Sequence, residues 1–334
     1  MKRLAAAAAM LMAVGAARAD EIQLLMSTYS APNSTIEVQF FAPWAKAVND
    51  RAQGAIRVEL RAGTSLANPF NAYDRLINDV LGVGWVLHNY VGGKFALSEI
   101  GALPFAVDDY KSEYASATLW RVYKSGALDA EYDQVVPLIF SILTQSQLHT
   151  IKPMKNLDSM AGLKIIGPAK HYGEVISALG GAPLTLQISD YYEALARGTA
   201  DGVVTGFTAF PNFKLGEVVF YHVDTSLGTA SAMIFVSKKK LAALPQPGRD
   251  ALLANSGEKL SRELGLYFER TDEQYRNLMR STAGHQVVEL SKAQEAAWKK
   301  RIAPAIDAIL AARPNGRAVY EKFVATYAEV KAGR

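Results

Sequence analysis

The chain has 334 residues, half of them hydrophobic and a fifth charged, a composition that excludes disordered, collagen-like and membrane-embedded classes. Its formal charge of +4 comes from 36 basic and 32 acidic residues. Three of the basic ones, Lys2, Arg3 and Arg18, fall in a leader expected to be removed, so the remainder is nearly neutral and the electrostatic case for nucleic acid is lost.

The leader reads Met1-Lys2-Arg3, an apolar stretch from Leu4 to Ala17, and Ala17-Arg18-Ala19 before Asp20. A basic start, roughly 14 apolar residues (too few to cross a bilayer as a helix) and an A-x-A finish predict a secretory signal peptide cleaved after Ala19. The chain has no cysteine, which excludes disulfides and thiolate chemistry and leaves stability to the core alone.

Ile22 to Met26 reads as a buried strand, and Ser34-Thr-Ile-Glu37 as a capping box opening a helix with Ile36, Phe40, Phe41, Trp44, Ala47 and Val48 at helical spacing and Pro43 as a kink. Ile56, Val58 and Leu60 alternate as strand. Asn68-Pro69 predicts a helix start through Leu76 and Ile77. Val80 to Leu87 and Val136 to Leu143 are short enough for strands buried on both faces. Leu163 to Ile166, Lys170 to Leu179, Leu184 to Leu186, Asp190 to Ala196 and Val203-Val204 alternate strand and helix, and Met233 to Val236 follows as strand. Two helical stretches close the chain, one from about Gly248 to Thr282 and one opened by the Ser291-x-x-Gln294 box. Alternation of this kind predicts an α/β protein, and the length favours two lobes.

No phosphate-binding loop, dinucleotide fingerprint, zinc-protease motif or nucleophile elbow occurs. The five histidines, His88, His149, His171, His222 and His285, lie far apart in sequence without metal-ligand spacing. Acidic pairs such as Asp108-Asp109 read as solvated loop. The residues therefore point to a binder without catalytic residues or cofactor.

In their order and spacing, Met26-Ser-Thr-Tyr-Ser-Ala-Pro-Asn-Ser34, Ala-Leu-Pro-Phe105, Met160-Ala-Gly-Leu-Lys-Ile-Ile-Gly-Pro168, Tyr192-Glu-Ala-Leu-Ala-Arg-Gly-Thr-Ala-Asp-Gly202, and Ala232-Met-Ile-Phe-Val-Ser-Lys-Lys-Lys240 with Leu244-Pro245 resemble the DctP-type solute-binding proteins of TRAP transporters. The resemblance implies a two-lobed periplasmic-binding-protein fold with crossing strands and a long hinge-spanning helix. It implies one lobe from 20–143 plus about 231–271 and another from 144–230 plus about 272–334. It also implies closure over one small molecule, with membrane permease subunits as partners. The same fold would serve a periplasmic sensor subunit.

Members of that family commonly hold an organic acid with an arginine in a G-L-K-I-R-x-P motif, through a bidentate carboxylate pair. Here Gly162-Leu-Lys-Ile165 is kept and the arginine position is Ile166. A second family arginine falls on Gln145, and a later N-P pair on Thr205-Gly206. A carboxylate buried without a cation costs several kcal/mol, an order-of-magnitude figure, so a hydrophobic, aromatic ligand is expected, acid or not. The alternative is a conventional aliphatic acid held by His149 and backbone donors.

The positions implied to face the ligand are Tyr29, Asn33, Phe70, Trp85, His88, Tyr90, Gln145, Gln147, His149, Ile166, Thr205, Phe207 and Phe210, an aromatic, apolar and amide set that suits a ring. Each has a plainer reading. Trp85 would be core, although Gly82 and Gly84 are expected to leave room beside it. Asn33 would serve a turn, Phe70 first-turn packing, Gln145 an ordinary strand, His149 a satisfied histidine, and Phe207 and Phe210 packing under the hinge. Lys164 and Arg197 read as solvent-facing, and Tyr192 as a support of the fold.

Overall fold

The computed structural model describes residues 21–154, 160–167, 170–186 and 188–334, with backbone alone at 170 and 171. The expected leader at 1–19 and Pro168 of the motif lie outside them. In chain order the strands are β1 (Ile22–Ser27), β2 (Ile56–Arg61), β3 (Val83–Leu87), β4 (Val135–Ile142), β5 (Gln147–Thr150), β6 (Lys164–Gly167), β7 (Ala182–Thr185), β8 (Gly202–Thr205), β9 (Tyr221–Asp224), β10 (Ser231–Ser237) and β11 (Gln286–Glu289). They form two sheets among the described residues, β2-β1-β3-β10-β4 and β11-β9-β5-β8-β6-β7.

The first sheet follows from its pattern. Leu24 and Met26 of β1 are buried and lie opposite Val58 and Leu60 of β2 in parallel register. β3 is covered on both faces, Trp85 and Val83 in one core and Val86 in the other. Gly82 and Gly84 serve this packing and open no room beside Trp85. A Cβ on Gly84 would lie 2.5 Å from the Phe235 ring, and one on Gly82 would lie 2.7 Å from Leu24. Val319, Phe323 and Tyr327 of the C-terminal helix Gly316–Lys331 belong to the core of this sheet. The expected division placed that helix with the second lobe, and this packing corrects it.

The second sheet is sandwiched between Tyr172, Val175, Trp298 and Ile302 on one face and Tyr191, Leu195, Phe207 and Phe210 on the other. Ser291 opens the helix Lys292–Ala311 with the expected reciprocal capping box. The box expected at Ser34 does not form. Glu37 lies in a five-residue π-helical turn, Glu37–Phe41, and accepts from the Thr28 hydroxyl at the end of β1. A tertiary partner thus outcompetes the local one. The helix Ala42–Ala52 continues that turn without a break, so Pro43 lies inside one helical run from 35 to 52, and the π-helical turn sits where its missing N–H interrupts the ladder.

Two crossings, 143–146 and 225–230, join the sheets and run side by side. Ser146 N donates to Gly228 O (2.6 Å), Leu227 N to Ser146 O (3.0 Å), and Gly228 N to the Gln145 side-chain oxygen (2.8 Å). The stretch expected as one helix from 248 to 282 is two, Gln246–Ala254 and Glu258–Ser281, interrupted where Gly257 takes φ +108°. The longer helix spans both lobes, with Leu264 and Phe268 in the core of the first sheet and Met279 in that of the second. No helix of the described residues is long and apolar enough to cross a membrane.

Candidate functional site

Strand polarity locates the cleft. β4 runs into the first crossing and β10 out of the second, so β3, antiparallel to β10, and β1, parallel to β3, end toward the crossings. β5 leaves the first crossing antiparallel to β8, so β8 and its parallel neighbour β6 also end there. Carboxyl ends of strands from both sheets therefore face one another across the hinge, the usual place for a ligand in open α/β sheets.

Tyr29 follows β1 with φ +34°, an unusual conformation for a residue with a side chain and one that collects at ligand sites. Its hydroxyl is buried without a hydrogen-bond partner. The Trp85 side chain and Leu87 backbone lie beside it without closing a well-formed bond. Burial, then the neighbouring Tyr90 phenol, push the Tyr29 hydroxyl well above its ordinary pKa. Tyr90 follows β3, and its ring meets Phe70 edge-on at 4.9 Å. Phe70 is 52% exposed at the cleft mouth. Asn89, between His88 and Tyr90, has a buried side-chain oxygen without a partner.

From the second lobe come Tyr172, on the helix Lys170–Ala178, and Tyr191, on the helix Tyr191–Ala196, both almost fully buried. Burial raises the pKa of each hydroxyl above the ordinary phenol value. After burial, Tyr172 feels Ser146, Glu99 and Tyr90, and Tyr191 feels Tyr90 and Tyr172. The Tyr172 and Ser146 hydroxyls are 3.3 Å apart. Four phenols from four separate elements are thus electrostatic neighbours across the cleft. Sequence reasoning missed Tyr172 and Tyr191. Their only signal was position, in the first turns of helices that follow the ends of β6 and β7.

Other expected site residues lie elsewhere. His88 is a core histidine, with Nδ1 2.8 Å from the Ser231 hydroxyl and Nε2 3.3 Å from Tyr132, and burial holds its pKa at about 3. Phe207 and Phe210 are buried in the second lobe, each meeting the His149 ring at 4.8 Å. Ile166 packs in the same core, and Thr205 is 8% exposed. Asn33 is exposed on the loop after β1.

His149 cannot serve as the anchor for an acid. Its Nε2 lies 3.1 Å from Thr205 O and its Nδ1 2.9 Å from His222 Nδ1, while His222 Nε2 lies 3.0 Å from His285 Nδ1. A carbonyl only accepts, so His149 donates from Nε2, His222 donates to His149 Nδ1, and His285 donates to His222 Nε2. Histidines remote in sequence therefore form a neutral row. Burial first, then its neighbour in the row, lowers the pKa of His149 and of His222, the latter to about 3. No metal-holding group of three or more His, Cys, Asp or Glu occurs among the described residues.

A cavity of about 950 Å³ lies behind the hinge, between the spanning helix and the helix Lys292–Ala311. Gln145 and Gln147 border it, so both belong to the hinge. Several of its charges are ion-paired, while Gln145 Nε2, Gln147 Oε1, Thr225 Oγ1 and Arg276 Nε are buried without a partner. Arg276 meets Asp272 at 2.8 Å and Asp224 at 3.1 Å, and Lys299 meets Asp108 at 3.1 Å and Glu295 at 3.0 Å. Asp272, 1% exposed, also accepts from Thr144 Oγ1 and Phe207 N, both at 3.0 Å. The cleft, where the carboxyl ends of strands from both lobes converge, is the better candidate for ligand recognition.

A model of the DctP family, bacterial extracellular solute-binding protein family 7, matches residues 26–313. The sequence is 24% identical over 275 residues, covering 80% of this chain and 79% of the relative, to the outer membrane transporter protein TsaT of Comamonas testosteroni. The fold matches a TRAP solute binding protein from Rhodoferax ferrireducens, solved with copurified benzoate, at a TM-score of 0.85 and 24% identity over 93% of this chain and 99% of that one. It also matches a TRAP periplasmic solute binding protein from Bordetella bronchiseptica with bound (R)- and (S)-mandelate, at a TM-score of 0.81 and 23% identity over 94% and 100% of the two chains.

Proposed function

The chain belongs to the bacterial extracellular solute-binding proteins of family 7, and from that premise we propose that it is the periplasmic receptor of a TRAP-type transporter that captures a hydrophobic, aromatic organic molecule and delivers it to membrane permease subunits. The family is one of solute receptors rather than enzymes. The observation that carries the ligand class is the placing of Tyr29 and Tyr90 after strand ends of one lobe and of Tyr172 and Tyr191 after strand ends of the other, while the arginine position of the related motif holds a buried isoleucine, Ile166. Phenol rings supply broad apolar faces with polar tips, the chemistry that recognises another ring. The benzoate and mandelate held by two proteins of the same fold support this reading.

Closure follows from the hinge. A ligand touching phenols of both lobes has contacts available only when they approach, and so shifts the population toward the closed form. A thermal-shift screen with aromatic and aliphatic compounds tests the proposal. Aromatic compounds are expected to stabilise the fold, by about 2.7 kcal/mol at a hundred times the dissociation constant. Stabilisation by aliphatic acids alone would sink it.

A further inference from the structure

We propose that the cavity behind the hinge is a second binding site, taking a small solute of the carboxamide class between the two crossings and the spanning helix. The site stands independently of the ligand in the front cleft. Nine side-chain atoms are buried without a hydrogen-bond partner among the described residues, and four of them belong to residues lining this one cavity: Gln145 Nε2, Gln147 Oε1, Thr225 Oγ1 and Arg276 Nε. Gln145 is 6% exposed and Gln147 2%. The four stand on the first crossing, the start of β5, the second crossing and the helix Glu258–Ser281, the elements that connect the lobes. Unpaired dipoles are costly when buried, and here they gather where the chain bends.

The bonds already made fix what each group offers. Gln145 Oε1 accepts from Gly228 N at 2.8 Å, so its Nε2 is the end that presents N–H. Gln147 Nε2 donates to Gln145 O at 2.7 Å, so its Oε1 presents lone pairs. Arg276 gives Nη1 to Asp224 at 3.1 Å and Nη2 to Asp272 at 2.8 Å, which leaves its Nε–H as a donor. The Thr225 hydroxyl serves either way. Two donors and an acceptor match a carbonyl oxygen, with its two lone pairs, joined to an N–H group. A carboxylate could take the same two donors, but beside Arg276 it would meet Asp224 and Asp272, which already share that guanidinium; an amide oxygen meets the donors without that repulsion. Because the four groups stand on connecting elements, rotation of the lobes opens the wall to the occupant.

The test is an NMR titration of the intact chain, isotope-labelled at the glutamine side-chain nitrogen, with acetamide and, separately, with sodium acetate at matched ionic strength and neutral pH. Acetamide is expected to move the Gln145 and Gln147 side-chain signals along one saturating curve, and acetate to bind at least about tenfold more weakly. Thr225→Val removes a hydroxyl that has no partner in the fold. It is expected to weaken acetamide about fivefold, the size of one lost hydrogen bond, at unchanged melting temperature. Signals that drift linearly without saturating, as from a change of solvent, overturn the site and leave the aromatic reading of the front cleft standing. Acetate binding as tightly as acetamide overturns the assigned ligand class and with it the proposal. Undiminished acetamide binding by Thr225→Val, with the fold confirmed by circular dichroism, overturns it as well.

Discussion

The two spaces between the lobes are built from opposite materials. In front of the hinge, the cleft is walled by phenols and an exposed phenyl ring, with neutral polar atoms left unpartnered. Behind it, the cavity is lined by arginines, lysines and carboxylates, several of them joined in ion pairs, beside buried polar atoms without a partner: Gln145 Nε2, Gln147 Oε1, Thr225 Oγ1 and Arg276 Nε. Paired charges hold the rear of the hinge together, while unpaired dipoles on either side of it cost stability unless a ligand completes them.

The sharpest break of that contrast is Asp272→Ala. It strips Arg276, Thr144 and the Phe207 amide of a shared buried partner, and a loss of about 3–5 kcal/mol is expected in urea unfolding. A loss under 1 kcal/mol would make the rear network incidental.

Next in size is a pH effect that sets the lobe cores against the cleft edge. His88 and His222, held at about 3 against an ordinary 6.5, refuse protons that the unfolded chain accepts, so each costs about 2 kcal/mol of stability between pH 7.5 and 5. His149 acts in the same direction. Glu99, pushed up to about 7 from 4.5 by burial, keeps its proton where the unfolded chain has lost it, and regains about 2 kcal/mol over the same interval. Glu99→Gln is expected to lose about 2 kcal/mol more on acidification than the wild type. Equal losses in urea melts at the two pH values would remove Glu99 from the balance.

The smallest effect concerns salt. Raising sodium chloride from about 0.05 to 0.5 M is expected to change the affinity for an aromatic ligand less than about twofold, since screening acts on charges and the cleft presents none that are free among the described side chains. A tenfold loss would mean that the cleft recognises an anion after all.

Much of the fold was legible in the chain. Alternation at Ile56, Val58 and Leu60, the unbroken apolar run into β3, and Ser291 three residues before Gln294 each encode a local preference, and each element formed. Where a local signal met a stronger distant partner it failed. Glu37 left Ser34 for Thr28, and Gly257 divided a helix that periodicity alone continued. The strands at 221–224 and 286–289 carried too few residues to announce themselves, because their pairing is made with remote partners.

The site divides in the same way. That Ile166 stands where a cation is usual, and that Tyr29, Trp85 and Tyr90 follow or end strands of the first sheet, was determined by the sequence alone. The tertiary structure decided that Tyr172 and Tyr191 join them, that His149, His222 and His285 form a row, and that His88, Phe207 and Phe210 are core. A side chain's periodicity shows which face of its own element it occupies. What lies opposite that face depends on how two sheets meet across a hinge, and that is fixed by packing among residues far apart in the chain.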